Sequence, residues 1–117
     1  MDATEAAPYR SLLEEQQEAL RRQLQDMGLD PDDPKIENLD FDFGFADSAQ
    51  STAERNKLLA LVERLHEGLR DVRAALDKID KGRYGICERC GRPIAAERLE
   101  ALPATRLCLE DKQKESS

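Results

Sequence analysis

The chain has 117 residues, a formal net charge of −7, 37% charged residues and only 4% aromatic residues. So little apolar bulk excludes a large compact core and suits long, solvent-exposed helices. The chain has no run of about 18 apolar residues, so no membrane span is expected. The acidic N-terminus lacks the apolar region of a secretory signal. We therefore expect a cytoplasmic protein whose three cysteines do not form lasting disulfides.

Two segments carry the alternating spacing of four and three residues that is typical of a coiled coil. The first stripe, which ends before Gly28, consists of Leu13, Gln17, Leu20, Leu24 and Met27. The second stripe consists of Leu58, Val62, Leu65, Leu69, Val72, Leu76 and Ile79. We expect the second helix to run from about Asp47 to Lys81, with a capping box formed by Ser51 and Glu54 near its start and a stop at Gly82.

The two stripes predict an antiparallel coiled-coil hairpin, because Gly28, Pro31 and Pro34 supply a chain reversal between them. The alternative is a parallel homodimer through the longer stripe. The hairpin interpretation gives a mainly α fold and a monomer. It assigns residues 1–80 to the hairpin and residues 81–117 to a small module that ends in a helix.

The connection between the stripes is strongly acidic. Residues 29–47 contain seven acidic residues and one lysine, and all three phenylalanines of the chain lie between Asp40 and Phe45. One interpretation is an exposed linker whose phenylalanines pack on the coiled coil. The other is a functional tip near residues 40–49 that faces a partner.

Three cysteines near the C-terminus have the spacing of a zinc site. Cys87 and Cys90 form a C-x2-C pair, and Cys108 follows at the distance expected for a second pair, whose last position holds Asp111. Zinc accepts carboxylate oxygen, so these four residues make a feasible tetrahedral set, although oxygen is a harder and weaker ligand than thiolate. The lone His66 lies in the second helix and is no obvious ligand.

The module around the cysteines has three interpretations. It is a structural zinc module, a small fold that packs without metal, or a redox-sensitive set of thiols. Gly91 is predicted to take a positive φ in a turn after Cys90. The small core is predicted to consist of Ile94, Leu99, Leu102 and Leu107. A catalytic zinc is not expected, because no histidine and no general base lie nearby, and we expect no enzyme.

This combination of two helical stripes, an acidic connection and a cysteine module resembles the DksA/TraR family of bacterial regulators that bind RNA polymerase. The resemblance spans about residues 45–112. It is carried by Tyr84-Gly85-Ile86-Cys87, Cys90-Gly91, Ile94, Arg98-Leu99-Glu100-Ala101 and Pro103. It implies that the coiled coil enters the secondary channel of RNA polymerase and that the zinc-finger module lies at the channel rim.

The resemblance also implies a tip motif, Asp-x-x-Asp-x-Ala, that acts near the active centre of the polymerase. In this chain Asp47 and Ala49 occupy the second and third positions of the motif, Gly44 replaces the first aspartate, and Asp42 lies two residues away. The candidate tip residues are therefore Asp42, Asp47 and Ala49.

Family members often act with the alarmone ppGpp. The resemblance is weaker at the residues with which the family binds this alarmone. Leu102 replaces a basic residue of the family, and Asp71 replaces a lysine. A polyphosphate needs several cations close together, so these replacements argue against tight ppGpp binding. Arg98 and Lys112 remain as candidate rim or alarmone contacts.

Charge is distributed unevenly between the two parts. Residues 1–80 carry a net charge of −9 and residues 81–117 carry +2. Such an acidic chain is unsuited to sequence-specific DNA binding. The resemblance to the DksA/TraR family thus implies a transcription regulator that binds RNA polymerase, and the alternative is a zinc-stapled coiled-coil adaptor with a different partner.

Overall fold

The computed structural model describes residues 1–33 and 49–115, with the backbone alone for residues 49–51. Within these ranges the fold is mainly α, as predicted, and no named strand is present. The only extended pairing there is an isolated antiparallel bridge between Ile86 and Pro93. The helices are α1 (Ala3–Asp26), α2 (Ala49–Asp80), α3 (Ala96–Ala101) and α4 (Leu109–Glu115). None of these four is long and apolar enough to cross a membrane.

Helix α1 ends in a Schellman motif at Gly28. The Leu29 amide donates to the Leu24 carbonyl at 2.9 Å, and the Gly28 amide donates to the Gln25 carbonyl at 2.9 Å. Gly28 has a φ of 79°, which costs a glycine little. Leu24 and Leu29 are both buried in one cluster, so the apolar contact that accompanies this motif is present.

Helix α2 ends in the same way, and it begins at Ala49, close to the predicted start near Asp47. The Arg83 amide donates to the Lys78 carbonyl at 2.8 Å, and Gly82 takes a φ of 71°. The helix begins at Ala49, so Ser51 is its third residue and the predicted capping box at Ser51 is wrong. The local sequence favours a cap at Ser51, but the helix already includes the two residues that precede it.

Contacts between Cα atoms divide the chain into two compact units. One consists of Met1–Gln17 and Arg70–Ser117, and the other consists of Glu18–Leu69. The predicted division at residue 80, between a coiled-coil hairpin and a C-terminal module, stays a prediction. In the second unit, α1 and α2 pack around a buried leucine-rich cluster. Its members are Leu24, Leu29, Val62, Leu65 and Leu69, with Leu20, Met27 and Leu59 packed against them.

The first unit joins the start of α1 and the end of α2 to the cysteine module. Arg10 pairs with Asp80 at 2.6 Å, and the rings of Tyr9 and Tyr84 lie 5.4 Å apart. The two helices are antiparallel here, because Met1 lies at the Tyr84 carbonyl while Arg10, further along α1, lies at Asp80. The hairpin interpretation therefore agrees with the fold.

One side chain is placed differently from the sequence prediction, and the burial of another was not predicted. Leu102 is 53% exposed, so its assignment to the small core is wrong. It follows the last turn of α3, where the chain leaves the helix and no longer shares a face with the buried Leu99. His66 is buried, and its Nε2 has no hydrogen-bond partner among the described residues.

Candidate metal centre

The candidate ligands come from two loops and the first turn of α4. Cys87 and Cys90 flank a turn after α2, Cys108 immediately precedes α4, and Asp111 lies in the first turn of that helix. The turn is closed by the Gly91 amide, which donates to the Cys87 carbonyl at 3.0 Å. Gly91 has a φ of 75°, as predicted.

These four residues bring their ligand atoms together. The three sulfurs and one carboxylate oxygen all lie within 4.8 Å of one another. The Sγ atoms of Cys90 and Cys108 are 3.8 Å apart. Asp111 Oδ2 lies 3.1 Å from Cys87 Sγ and 3.3 Å from Cys108 Sγ. The four residues that the spacing singled out therefore form one cluster.

Three of the separations between ligand atoms are close to those of a tetrahedral zinc site. Two thiolates at the usual Zn–S length define a tetrahedral edge of roughly 3.8 Å, which matches the separation of the Cys90 and Cys108 sulfurs. A thiolate and a carboxylate oxygen define an edge of roughly 3.5 Å, so the two contacts of Asp111 are only a few tenths of an ångström short. The donor set of three thiolates and one carboxylate also suits zinc.

Without a metal, the carboxylate is held by the thiols. Hydrogen bonds from the thiols lower the pKa of Asp111 to about 2. The largest contribution comes from Cys90, followed by Cys87 and Cys108. The same carboxylate raises the pKa of the Cys90 thiol to about 12. Because zinc binds thiolates, it has to displace the protons that these contacts retain, and binding releases them.

Cys87 is the most enclosed ligand. Its exposed fraction is 1%. Burial tends to raise the pKa of its thiol, but backbone amides, led by those of Cys108 and Cys90, bring the net shift downward. These amides come from both ligand-bearing loops. Their convergence on one sulfur favours the thiolate that zinc requires.

An ion-pair network surrounds the cluster, and the sequence analysis did not identify it. Arg106 Nε lies 2.7 Å from Glu88 Oε2, and Lys78 Nζ lies 3.1 Å from Glu88 Oε1. Burial tends to raise the pKa of Glu88, but the hydrogen bonds from Arg106 and Lys78 lower it. Opposite charges next to the two ligand loops were the available sequence signal.

The other candidate residues have separate positions. Arg98 on α3 donates from Nε to the Leu107 carbonyl at 3.1 Å. Lys112 on α4 pairs with Glu115 at 3.3 Å. The predicted tip residues Asp42 and Asp47 lie outside the described residues, and Ala49 is described only as the first residue of α2.

Comparison with known families places this module among DksA-type zinc fingers. Residues 82–114 match the model of the prokaryotic dksA/traR C4-type zinc finger. This chain departs from the four-cysteine description at Asp111. The Asp111 carboxylate nevertheless supplies a fourth potential ligand atom to the cluster.

Similar proteins extend the likeness beyond the module. An uncharacterised protein of Aquifex aeolicus is 53% identical over 51 residues, which are 41% of this chain and 35% of that protein. The RNA polymerase-binding transcription factor DksA of Caulobacter vibrioides is 33% identical over 69 residues, which are 59% of this chain and 49% of that protein. The matched segments thus span half or less of these relatives.

A solved structure is similar over nearly the whole chain. It is the transcription factor DksA2 from Pseudomonas aeruginosa, with a TM-score of 0.69 and 27% sequence identity. The match covers 97% of this chain and 84% of that one. The likeness therefore includes the helices as well as the cysteine module.

Proposed function

The chain belongs to the DksA/TraR family, and from that premise we propose that it is a bacterial transcription regulator that binds RNA polymerase. In this proposal the coiled coil enters the secondary channel and the module of residues 81–117 contacts the channel rim. The protein acts in the cytoplasm, has no catalytic activity and does not read a DNA sequence.

The observation that carries the proposal is the likeness to the DksA2 transcription factor over 97% of this chain. A zinc finger alone occurs in proteins of many functions, and fold alone does not decide function. Insertion into a channel requires helices and module in one chain. The likeness covers both parts, which supports this function over one carried by the finger alone.

Charge supports the same proposal. Residues 1–80 carry a net charge of −9. An acidic coiled coil is attracted to a partner surface that is basic, and long-range attraction increases the rate of association. We therefore expect binding to weaken as the salt concentration rises.

We propose that Asp42, Asp47 and Ala49 act at the active centre of the polymerase. The aspartates would act through charge and hydrogen bonding on mobile elements of the polymerase. They would not carry out chemistry of their own. The candidate tip is thus separable in function from the surfaces that provide affinity.

We propose that Cys87, Cys90, Cys108 and Asp111 hold a structural zinc ion. When bound, such an ion cross-links the two ligand loops of a module too small to be stabilised by its core alone. The carboxylate of Asp111 makes the retention of zinc weaker than four thiolates would, because thiolate is the softer ligand.

We do not propose tight binding of ppGpp. Asp71 pairs with Arg106 at 3.4 Å, and the Nε of Arg98 is bonded to the Leu107 carbonyl. A carboxylate at position 71 repels a polyphosphate, and Leu102 offers no charge to bind it. Arg98 and Lys112 remain candidates for weaker contacts at the rim.

The test of polymerase binding is co-migration of the purified protein with core RNA polymerase of the same bacterium. A known secondary-channel factor serves as the competitor. Binding that this competitor displaces supports insertion into the channel. Failure to bind at micromolar concentrations contradicts the proposal and favours the coiled-coil adaptor with another partner.

The test of the tip compares three variants in a transcription assay. We expect Asp47→Asn and Ala49→Thr to abolish the effect on initiation and to leave polymerase binding nearly unchanged. Glu67→Gln is the matched control, because it removes one exposed negative charge from α2 away from the tip. Loss of binding together with the effect would count against a separate role of the tip.

A further inference from the structure

Arg106 connects the two loops that carry the cysteine ligands. It lies two residues before Cys108, and its partner Glu88 lies between Cys87 and Cys90. The guanidinium contacts both carboxylate oxygens of Glu88, Nε to Oε2 at 2.7 Å and Nη2 to Oε1 at 3.1 Å. The Glu88 amide also donates to the Arg106 carbonyl at 3.0 Å. Side chains and backbones thus join the loops at one point.

The same pair is fixed to helix α2. Arg106 Nη1 lies 3.4 Å from Asp71 Oδ1, and Lys78 Nζ lies 3.1 Å from Glu88 Oε1. Asp71 and Lys78 are two turns apart on one face of the helix. Each ligand loop is therefore held both to the other loop and to a rigid element of the same compact unit.

An ordinary exposed ion pair would have little effect, because solvent and salt screen it. This pair differs in geometry. It is bidentate, which fixes the orientation of both side chains, and it stands beside a backbone hydrogen bond between the same two residues. The side chain of Lys78 is only 18% exposed, so the network is partly removed from solvent.

The position of the loops determines the geometry of the metal cluster. The sulfurs of Cys90 and Cys108 are 3.8 Å apart across the two loops, and Asp111 Oδ2 lies 3.1 Å from Cys87 Sγ. A shift of either loop changes these distances directly. Partners outside the ligand set that orient the ligands commonly change metal affinity by 10- to 100-fold.

We propose that Arg106 is a positioning residue for the metal centre, and that its bidentate contact with Glu88 holds the two ligand loops at the spacing that zinc requires. This inference rests on the proposed zinc binding by the cluster. In this proposal, a charged network on the module surface preorganises the ligand loops, as a larger core would otherwise do.

The test measures the rate at which zinc leaves the loaded protein for a chromophoric chelator, 4-(2-pyridylazo)resorcinol, at fixed pH and salt. We expect Arg106→Gln to accelerate release by about 10- to 100-fold. Arg92→Gln is the matched control, because it removes the same charge from an exposed arginine that has no side-chain partner among the described residues. We expect its release rate to equal that of the unchanged protein.

Two more variants separate geometry from charge. Arg106→Lys keeps the charge but loses the planar fork, so we expect it to release zinc almost as fast as Arg106→Gln. Glu88→Gln should accelerate release similarly, and the double variant should be no faster than either single one. Far-UV circular dichroism checks helix content. If Arg106→Gln does not fold, Glu88→Gln provides the same test.

The outcomes distinguish the two proposals. If purified unchanged protein neither contains nor takes up zinc, the proposed metal centre is wrong. If it holds zinc but Arg106→Gln and Glu88→Gln release zinc no faster than Arg92→Gln, the positioning role is wrong and the metal centre stands. A release rate of Arg106→Lys equal to that of the unchanged protein would also overturn the positioning role, because charge alone would then suffice.

Discussion

Replacement of Tyr84 by phenylalanine tests how the cysteine module is held in its compact unit. Tyr84 is 2% exposed, and its hydroxyl donates to the Pro103 carbonyl at 2.7 Å across 19 residues of chain. The substitution removes this hydrogen bond and leaves a carbonyl on a buried residue without its donor. It retains the ring that packs against Tyr9.

The expected loss of stability follows from these contacts. A net hydrogen bond contributes about 1 kcal/mol, and an acceptor left unsatisfied adds a desolvation cost, so we expect Tyr84→Phe to lower the free energy of unfolding by about 1–2 kcal/mol. For a chain of this size that corresponds to a fall in Tm of roughly 4–8 °C. The assay is thermal unfolding of the zinc-loaded protein, followed by circular dichroism.

The effect also has a defined pH dependence. Burial, and secondarily the charge of Tyr9, raises the pKa of Tyr84 to about 12. A proton that is held more tightly in the folded state stabilises the fold below the unfolded pKa of about 10, and this stabilisation is lost as the pH rises from about 10 toward 12. Because Tyr84→Phe has no proton to lose, the stability difference between the two proteins should shrink over that range.

Tyr9→Phe is the control, because no partner of the Tyr9 hydroxyl is present in the described part of the chain. We expect it to change the free energy of unfolding by less than about 0.5 kcal/mol. If Tyr84→Phe unfolds at the same temperature as the unchanged protein, the hydrogen bond to Pro103 does not hold the module. A stability difference that is constant from pH 10 to 12 would contradict the assigned pKa shift.

Four substitutions test other features of the described structure. Asp111→Cys should slow zinc release and raise Tm, because a fourth thiolate replaces a harder ligand; chelator competition measures it, and an unchanged rate would mean that Asp111 is no ligand. His66→Leu should stabilise the protein by about 1–2 kcal/mol in urea unfolding, because it removes a buried nitrogen that lacks a partner in the part of the chain that the structure describes; a loss of stability would indicate a partner. Gly68→Ala should raise stability by up to about 1 kcal/mol, since the added Cβ meets Leu20 at an ordinary 3.5 Å within a helix. Gly91→Ala has open space but a φ of +75°, so we expect a loss of about 1–2 kcal/mol; equal effects of the two alanines would contradict this reasoning.

The sequence was informative where the structure is periodic or local. The stripe from Leu58 to Ile79 predicted which face of α2 is buried, and Gly28 and Gly82 predicted where α1 and α2 end, because both signals depend on near neighbours. The metal cluster was predictable for a different reason. The spacing C-x2-C followed by Cys108 and Asp111 is typical of a zinc site, and the four ligand atoms lie within 4.8 Å of one another.

Long-range pairings left no periodic or local signal that identified the partners. Arg106 reaches Glu88 across 18 residues and Asp71 across 35, and the bond from Tyr84 to Pro103 is equally specific to the folded chain. The burial of His66 was not foreseen because it lies beside the stripe. Leu102 was assigned to the core because it is apolar and three residues after Leu99, a rule that fails where the helix stops.

In the proposed zinc-bound module, the unequal exposure of the cysteines predicts a preferred direction of metal exchange. Cys87 is enclosed and receives backbone amides, whereas Cys90 is exposed and Cys108 is half-buried. An acceptor that removes metal from this site must therefore approach from the side of Cys90. The exposed Cys90 would be reached first and the buried Cys87 last. Transfer would then depend on the shape of the acceptor near Cys90 as well as on its affinity for zinc, so two chelators of equal strength but different bulk should empty the site at different rates.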